Sequence, residues 1–165
     1  MATLYKCLIA TQGATPQYFQ AGDSLIKPSY VVMEDDNDEV KICATSGHPF
    51  GVAGCPAYHD MNTVYTVGVR VRVWLLGSGV EIMLLHDANT GESITKGMNL
   101  IASTGTAGHV RIQIDYVTKT TTYNLTEHTE GGDTSRFVVG YALETVTVTS
   151  GTTEFIRAKL AISGA

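Results

Sequence analysis

The stretch Val67-Gly68-Val69-Arg70-Val71-Arg72-Val73-Trp74-Leu75 decides the fold class, because its apolar and polar residues alternate almost strictly. One face of the segment carries the valines, and the other carries glycine, arginine and tryptophan. A period of two is typical of a half-buried β-strand. After the turn residues Gly77-Ser78-Gly79 the chain continues as the apolar run 80–85, so we predict a β-hairpin.

Three further segments, 110–117, 145–149 and 154–162, alternate in the same way. No longer stretch shows a strong apolar stripe with the 3.6-residue period of a helix. Turn residues recur at roughly the 8–12-residue spacing that sandwiches and barrels have. We therefore predict an all-β protein, with at most a short helical turn in 56–62 or 125–131.

The chain also contains an internal repeat. Residues 30–33 align with 100–103, and without a gap 40–42 then align with 110–112. Gly22 and Gly97 precede the two copies, and Phe50-Gly51-Val52-Ala53 resembles Val139-Gly140-Tyr141-Ala142. Each copy ends in a strand of basic and apolar residues, 69–73 or 156–160. We predict two similar small β-barrel or sandwich units that arose by duplication.

The repeat sets the predicted domain boundaries. An N-terminal arm occupies 1–20, the first β-unit 21–86 and the second β-unit 92–165, with the joint in a turn-rich stretch. The second copy contains an inserted polar loop, 118–136. A loop of this length tends to be functional or mobile.

Composition excludes several classes of partner. The 165 residues carry a net charge of −5, and five of the 16 acidic residues fall within 34–39. The chain therefore lacks the basic surplus that nucleic-acid binding needs. No run approaches the roughly 18 apolar residues of a transmembrane helix, and residues 1–11 do not look like a secretion signal. We expect no direct nucleic acid and no membrane as partners.

Candidate chemical sites are weak. The acidic turn 34–39 lacks the spacing of a calcium loop, and its counterpart 104–109 has no carboxylate, so we interpret it as a solvated hairpin tip. Cys43, His48, Cys55 and His59 are zinc-ligand types but without a close Cys-x-x-Cys pair, and three cysteines favour unbridged thiols. No nucleophile, zincin or phosphate-loop motif occurs. We predict no catalytic, cofactor or metal residues and no enzyme.

The residues Arg70, Arg72 and Trp74 share one face of the predicted strand. This face is a solvent face paired with Glu81 across the hairpin, or a subunit interface, in preference to a surface that stacks on bases. Together with aromatic residues of the arm and the insertion, the predicted interface comprises Tyr5, Tyr18, Phe19, Arg70, Arg72, Trp74 and Tyr123.

The pattern resembles the capsid decoration (cement) proteins of tailed bacteriophages and related viruses. The resemblance rests on Gly22 before a strand-turn-strand unit, on Gly51-Val52-Ala53, on Gly140-Tyr141-Ala142-Leu143-Glu144-Thr145-Val146 and on the terminal strand 155–162. It covers most of residues 20–163. The duplication and the insertion 118–136 depart from the family pattern.

The resemblance implies a non-enzymatic virion protein on the outer capsid surface. Its partners would be the major capsid protein and itself, as a homotrimer that braces the shell. The main alternative is a β-sandwich module of a head fibre or tail that binds a receptor or glycan, with Tyr116, Tyr123 and Tyr141 as candidate contacts. A shell-forming subunit is a further alternative, although the chain is short and shows no long helix.

Overall fold

The protein is described by a computed structural model that covers residues 7–36, 38–56, 61–87, 91–113 and 138–161. Every regular element within these residues is a β-strand, so the all-β prediction is confirmed. The insertion 118–136 and most of the two predicted helical turns lie outside the described residues. The strands are β1 (Leu8–Ala10), β2 (Gln17–Ala21), β3 (Val31–Asp35), β4 (Glu39–Ile42), β5 (Gly51–Ala53), β6 (Arg70–Leu75), β7 (Glu81–Leu85), β8 (Glu92–Ile94), β9 (Asn99–Ala102), β10 (Val110–Ile112), β11 (Val138–Ala142), β12 (Val146–Val148) and β13 (Phe155–Lys159).

Five strands form a closed barrel in the order β2-β4-β3-β5-β6. Strand β2 closes it, because β2 pairs antiparallel with β6 and parallel with β4. Full closure removes the unpaired strand edges that an open sheet exposes. Alternate side chains point inward. The interior is filled by small and branched residues together with one tyrosine: Ala21, Ile26, Val32, Val40, Ala53, Tyr65, Val71 and Val73.

The second half of the chain repeats this path. Its sheet has the order β1-β7-β13-β11-β9-β10, and an isolated parallel bridge joins His86 to Val110. Strands β7, β9, β10, β11 and β13 therefore follow the order of β2, β3, β4, β5 and β6. Equivalent hydrogen bonds support this match. Gly22 N donates to Val40 O in the first unit, and Asp87 N donates to Val110 O in the second, each at 2.9 Å. Two β-units with the same strand order are thus observed, as the sequence repeat predicted.

The gapless alignment of the repeat is wrong by two residues at β3 and β9. Val32 pairs with Ile42, and Leu100 pairs with Ile112, so Val32 matches Leu100. Between matched residues, the connection from Leu100 to Val110 is two residues longer than the connection from Val32 to Val40. A two-residue shift keeps every side chain on its face of the sheet, which is why the apolar pattern concealed it.

The glycine match before each copy is also wrong, because Gly97 corresponds to Ser29. Ser29 N donates to Ala53 O and Gly97 N donates to Ala142 O, both at 2.8 Å. Both residues have positive φ, 73° at Ser29 and 94° at Gly97. A backbone turn of one conformation therefore precedes β3 and β9.

The predicted hairpin of 67–75 with 80–85 does not form. Strand β6 pairs with β2 and β5, whereas β7 pairs with β1 and β13. The turn after β6 instead carries the chain from the barrel to the other sheet. Glu81 accordingly forms its ion pair with Arg157, at 3.0 Å, and not with an arginine of β6.

Polar side chains close the second unit where the first has small residues. His86 Nε2 lies 2.7 Å from Glu92 Oε2, and the same carboxylate oxygen accepts Ile112 N at 3.0 Å. The buried Asp87 carboxylate accepts hydrogen bonds from the hydroxyls of Ser103 and Thr106. In the first unit, Ala21 and Gly22 stand at the positions of His86 and Asp87.

The two units are joined by the β9–β10 loop and by a shared core. Gly108 O accepts Val31 N at 2.8 Å, and Gly108 N donates to Cys43 O at 2.9 Å, so the loop tip is inserted between β3 and the residue after β4. Trp74 and Val52 of the barrel pack in one cluster with Ile82 and Leu84 of β7 and its neighbours. The predicted boundaries at 86 and 92 stay a prediction.

The predicted arm contains two strands. Strand β1 extends the second sheet along β7, while β2 is part of the first barrel. Deletion of 1–20 would therefore open the barrel. The described part of the chain contains no helix long and apolar enough to cross a membrane.

Candidate interaction surface

The outer face of β2 and β6 carries three of the predicted interface residues. Tyr18 lies directly opposite Arg72 in the antiparallel ladder. Arg72 Nε donates to Tyr18 Oη at 3.2 Å, and the guanidinium carbon is 5.8 Å from the ring centroid. Tyr18 is 49% exposed, and Arg70 is exposed beside it. This face presents a cation stacked on an aromatic ring, which is a common composition of protein interfaces.

The remaining predicted interface residues lie elsewhere. Phe19 points into the barrel and packs edge-on against Phe50, with ring centroids 5.2 Å apart. Trp74 is 3% exposed and belongs to the core shared by the two units. Tyr5 and Tyr123 lie outside the described residues.

The matching face of the second unit is chemically different. Arg157 stands at the position of Arg72, and its guanidinium is bound by the Glu81 carboxylate at 3.0 Å. Glu81 also accepts Gln12 Nε2, at 3.3 Å. The charge of Arg157 is thus compensated within the chain, while the partner of Arg72 is a neutral phenol.

An exposed apolar patch at one end of the first barrel was missed by the sequence analysis. We call it the barrel-end patch and define it as Leu25, Val64, Val67 and Val69. Its two segments run side by side, because Ala21 N donates to Val69 O and Tyr65 N donates to Ile26 O. Leu25 and Val67 are each 63% exposed. Val67 and Val69 were predicted on the buried face, but β6 begins only at Arg70, after a turn with Gly68 at φ 81°.

The second unit is polar at the corresponding positions. The bridge of Ile26 with Tyr65 matches the pair of Ile94 with Val146. By the same register, Ser93 corresponds to Leu25 and Thr145 to Val64, and both are exposed. The duplicated fold therefore does not require apolar side chains here. This difference is visible in the sequence. Positions 25, 64 and 69 are apolar, whereas the matching residues of the second copy are Ser93, Thr145 and Glu154.

The acidic turn is a surface feature with one internal ion pair. Lys41 Nζ is 2.5 Å from Asp35 Oδ2. The hydrogen bond from Lys41 lowers the pKa of Asp35, and the same bond raises the pKa of Lys41. Within the described ranges, no three His, Cys, Asp or Glu side chains are grouped so that they could hold a metal ion. His59 of the zinc candidate lies outside those ranges.

A groove of about 260 Å³ lies where the two units meet. The ring centroids of Tyr30 and His109 are 5.4 Å apart at its wall. The other lining residues are Lys27, Pro28, Met61, Asn62, Leu85, Thr153 and Phe155. An aromatic wall with nearby amide and ammonium groups is a setting that small polar ligands can use.

Comparison with solved structures gives a distant similarity. No protein-family model and no curated protein matches the sequence. A chain in the solved structure titled "The capsid of Myoviridae Phage XM1" is similar over 95% of this chain and 92% of that chain, with 11% sequence identity and a TM-score of 0.46. At this identity and TM-score the similarity carries no conclusion about fold or function.

Proposed function

We propose that this chain is a virion structural protein that binds the outside of a shell of major capsid protein and stabilises it. The observation that carries the proposal is the barrel-end patch: it is apolar and exposed, whereas the matching positions of the second unit, Ser93 and Thr145, are polar. Large exposed apolar side chains grouped on one surface mark protein–protein contact sites. The resemblance to decoration proteins suggests the partner, and of its glycines Gly51 and Gly140 occupy the same position in the two units.

The energetics suit adhesion by many copies. Burying a Val or Leu side chain completely contributes about 1.5–3 kcal/mol, and these side chains are already partly buried. A patch of four therefore supports a contact of modest affinity. A homotrimer would present three such patches, and simultaneous engagement raises avidity by about 10²–10⁴.

The test is binding to undecorated, expanded shells, measured by co-sedimentation and by imaging. We expect the full chain to bind, and we expect the double variant Leu25→Ser/Val67→Ser to lose at least about tenfold in affinity. Both side chains are exposed, so the variant should keep its stability to within about 0.5 kcal/mol. Met98→Ser is the matched control, since Met98 is an exposed apolar residue of the second unit.

Three results would contradict the proposal or its details. Absence of shell binding by the unmodified chain contradicts the proposed function. Equal binding by the double variant and the Met98 control removes the barrel-end patch from the contact. A solution mass different from that of three chains, measured by light scattering, contradicts the trimer.

A receptor- or glycan-binding role is the second candidate, favoured by the groove beside Tyr30. Soluble oligosaccharides would then bind and lose affinity in Tyr30→Ala. Binding of that kind without any shell binding would replace the first proposal with the second.

A further inference from the structure

Two of the three cysteines lie side by side at the junction of the two units. Cys7 and Cys55 are both buried. The Cys7 thiol donates to Ala53 O at 3.8 Å, and Ala53 is two residues before Cys55 on the same segment. The side chains of Cys7 and Cys55 are hydrogen-bonded to each other. The two thiols are therefore neighbours that are not joined by a disulfide, and the Cys55 thiol also lies 3.4 Å from Met61 Sδ.

The Cys7 sulfur is surrounded by hydrogen-bond donors. Ser29 Oγ donates to it at 3.6 Å, and the Cys55 thiol lies beside it. These bonds, above all the one from the Cys55 thiol, lower the pKa of Cys7 even though burial raises it. The thiolate is the form of cysteine that reacts with oxidants.

We propose that Cys7 and Cys55 are a redox-sensitive pair that a peroxide converts into a disulfide, which fastens the N-terminal segment to the first barrel. The Cys7 thiolate attacks one oxygen of hydrogen peroxide, the O–O bond breaks, and hydroxide leaves, so Cys7 becomes a sulfenic acid. The Cys55 sulfur then attacks the Cys7 sulfur, the S–O bond breaks, and water leaves with the thiol proton. The peroxide is reduced to water, and two thiols are oxidised to one disulfide.

The bond would fasten both units together. Cys7 directly precedes β1, and its carbonyl accepts Met83 N of β7 at 2.8 Å. Cys55 follows β5 of the first barrel. A crosslink at this point constrains the unfolded chain over the whole segment between residues 7 and 55, so we expect the midpoint of thermal unfolding to rise by on the order of 10 °C. The proposal does not depend on the proposed function.

The experiment treats the reduced full-length protein with a small excess of hydrogen peroxide and maps the products by mass spectrometry after digestion without reductant. We expect a linked peptide that contains Cys7 and Cys55 and has lost two hydrogen atoms. The thermal midpoint should rise and return to its original value when a dithiol is added. Cys7→Ala and Cys55→Ala should each abolish both effects.

Cys43 supplies the matched control. It is buried, its thiol donates to Ala44 O at 3.6 Å, and burial raises its pKa to about 11. Cys43→Ala should form the linked peptide as the unmodified chain does. A disulfide that includes Cys43, or oxidation of Cys7 to sulfinic acid without a linked peptide, would overturn the proposal. These outcomes are read on the unmodified chain, so the test does not require that every variant folds.

Discussion

The first barrel and the second unit follow one chain path but are closed by different chemistry. The first closes through the parallel pairing of β2 with β4, next to the small residues Ala21 and Gly22. The second closes through the single bridge of His86 with Val110. There, hydrogen bonds of the His86, Asp87 and Glu92 side chains replace part of the backbone pairing that closes the first barrel. The two units thus share an apolar interior and a strand order. The groups that close each unit, and the residues on its surface, can differ.

The largest expected effect concerns the glycines that the two units have in common. Gly51 and Gly140 occupy the same position against the next strand. A Cβ on Gly140 would collide with the Lys159 carbonyl oxygen, and a Cβ on Gly51 would lie 2.7 Å from the Trp74 carbonyl oxygen. We expect Gly140→Ala to lower the free energy of unfolding by more than about 3 kcal/mol and Gly51→Ala by about 2 kcal/mol, because backbone must move.

Denaturant unfolding measures this effect, and Gly22→Ala is the control. A Cβ on Gly22 meets only the flexible side chains of Lys41 and Glu39, so its cost should be below about 1 kcal/mol. Equal losses at Gly140 and Gly22 would show that the close approach of backbone to Gly140 is not required by the fold.

The carboxylates that cap β4 and β10 give the next largest effect. Asp23 Oδ2 accepts Ile42 N at 2.8 Å, while Glu92 accepts both Ile112 N and the buried His86 ring. We expect Asp23→Ala to cost about 1 kcal/mol and Glu92→Ala about 2–3 kcal/mol, because the second change leaves an additional buried polar group without its partner.

A double-mutant cycle of His86→Ala with Glu92→Ala sharpens this comparison. Coupling of the two changes by more than about 0.5 kcal/mol indicates that the pair acts as a unit. Additive losses, or an Asp23→Ala loss as large as that of Glu92→Ala, would contradict a special role of the His86–Glu92 contact.

The smallest expected effect is the pH dependence of the stability that the ion pair of the acidic turn contributes. Lys41 holds the pKa of Asp35 below its ordinary value of 3.8. A carboxyl group with a lowered pKa in the folded state stabilises the fold above its unfolded pKa, and this contribution is lost as the pH falls through the folded pKa. Both side chains are at the surface, so the effect should be small and weaken with salt.

NMR titration of the Asp35 carboxyl measures this shift. In Lys41→Met the pKa of Asp35 should return toward 3.8, whereas Lys159→Met, in the second unit, should leave it unchanged. An unchanged titration of Asp35 in Lys41→Met would mean that the ion pair does not persist in solution. The matching loop of the second unit is held by Asp87, Ser103 and Thr106 in the interior and should not share this salt dependence.

Several features of the fold could be predicted from local pattern. The alternation in 70–75, 81–85, 110–112, 146–148 and 155–159 marks strands because apolar side chains at every second position bury one face. The repeated Gly-x-Ala in 51–53 and 140–142 marked the same strand in both units. The pairing of these strands was not local: β6 meets β2 from the N-terminal segment, and β7 meets β13 from the C-terminal segment.

The candidate surface was less predictable, because exposure depends on where a strand begins and on what covers its outer face. Val69 has the same parity as Val71 and Val73, yet it lies beyond the barrel and is exposed. Trp74 has the same parity as the exposed Arg70, yet the second unit covers it. Leu25 and Val64 are far apart in sequence and become neighbours only through the bridge of Ile26 with Tyr65.

By itself, the sequence determined that this chain consists of strands, that its two halves carry a repeated pattern and that five of its 16 acidic residues cluster in one turn, because these are properties of neighbouring residues. The tertiary structure alone decided which strands pair, that Cys7 meets Cys55 and that one barrel end is apolar while its copy is polar. Those features arise from contacts between residues distant in the chain, and the alternation of apolar and polar residues is equally compatible with several such pairings.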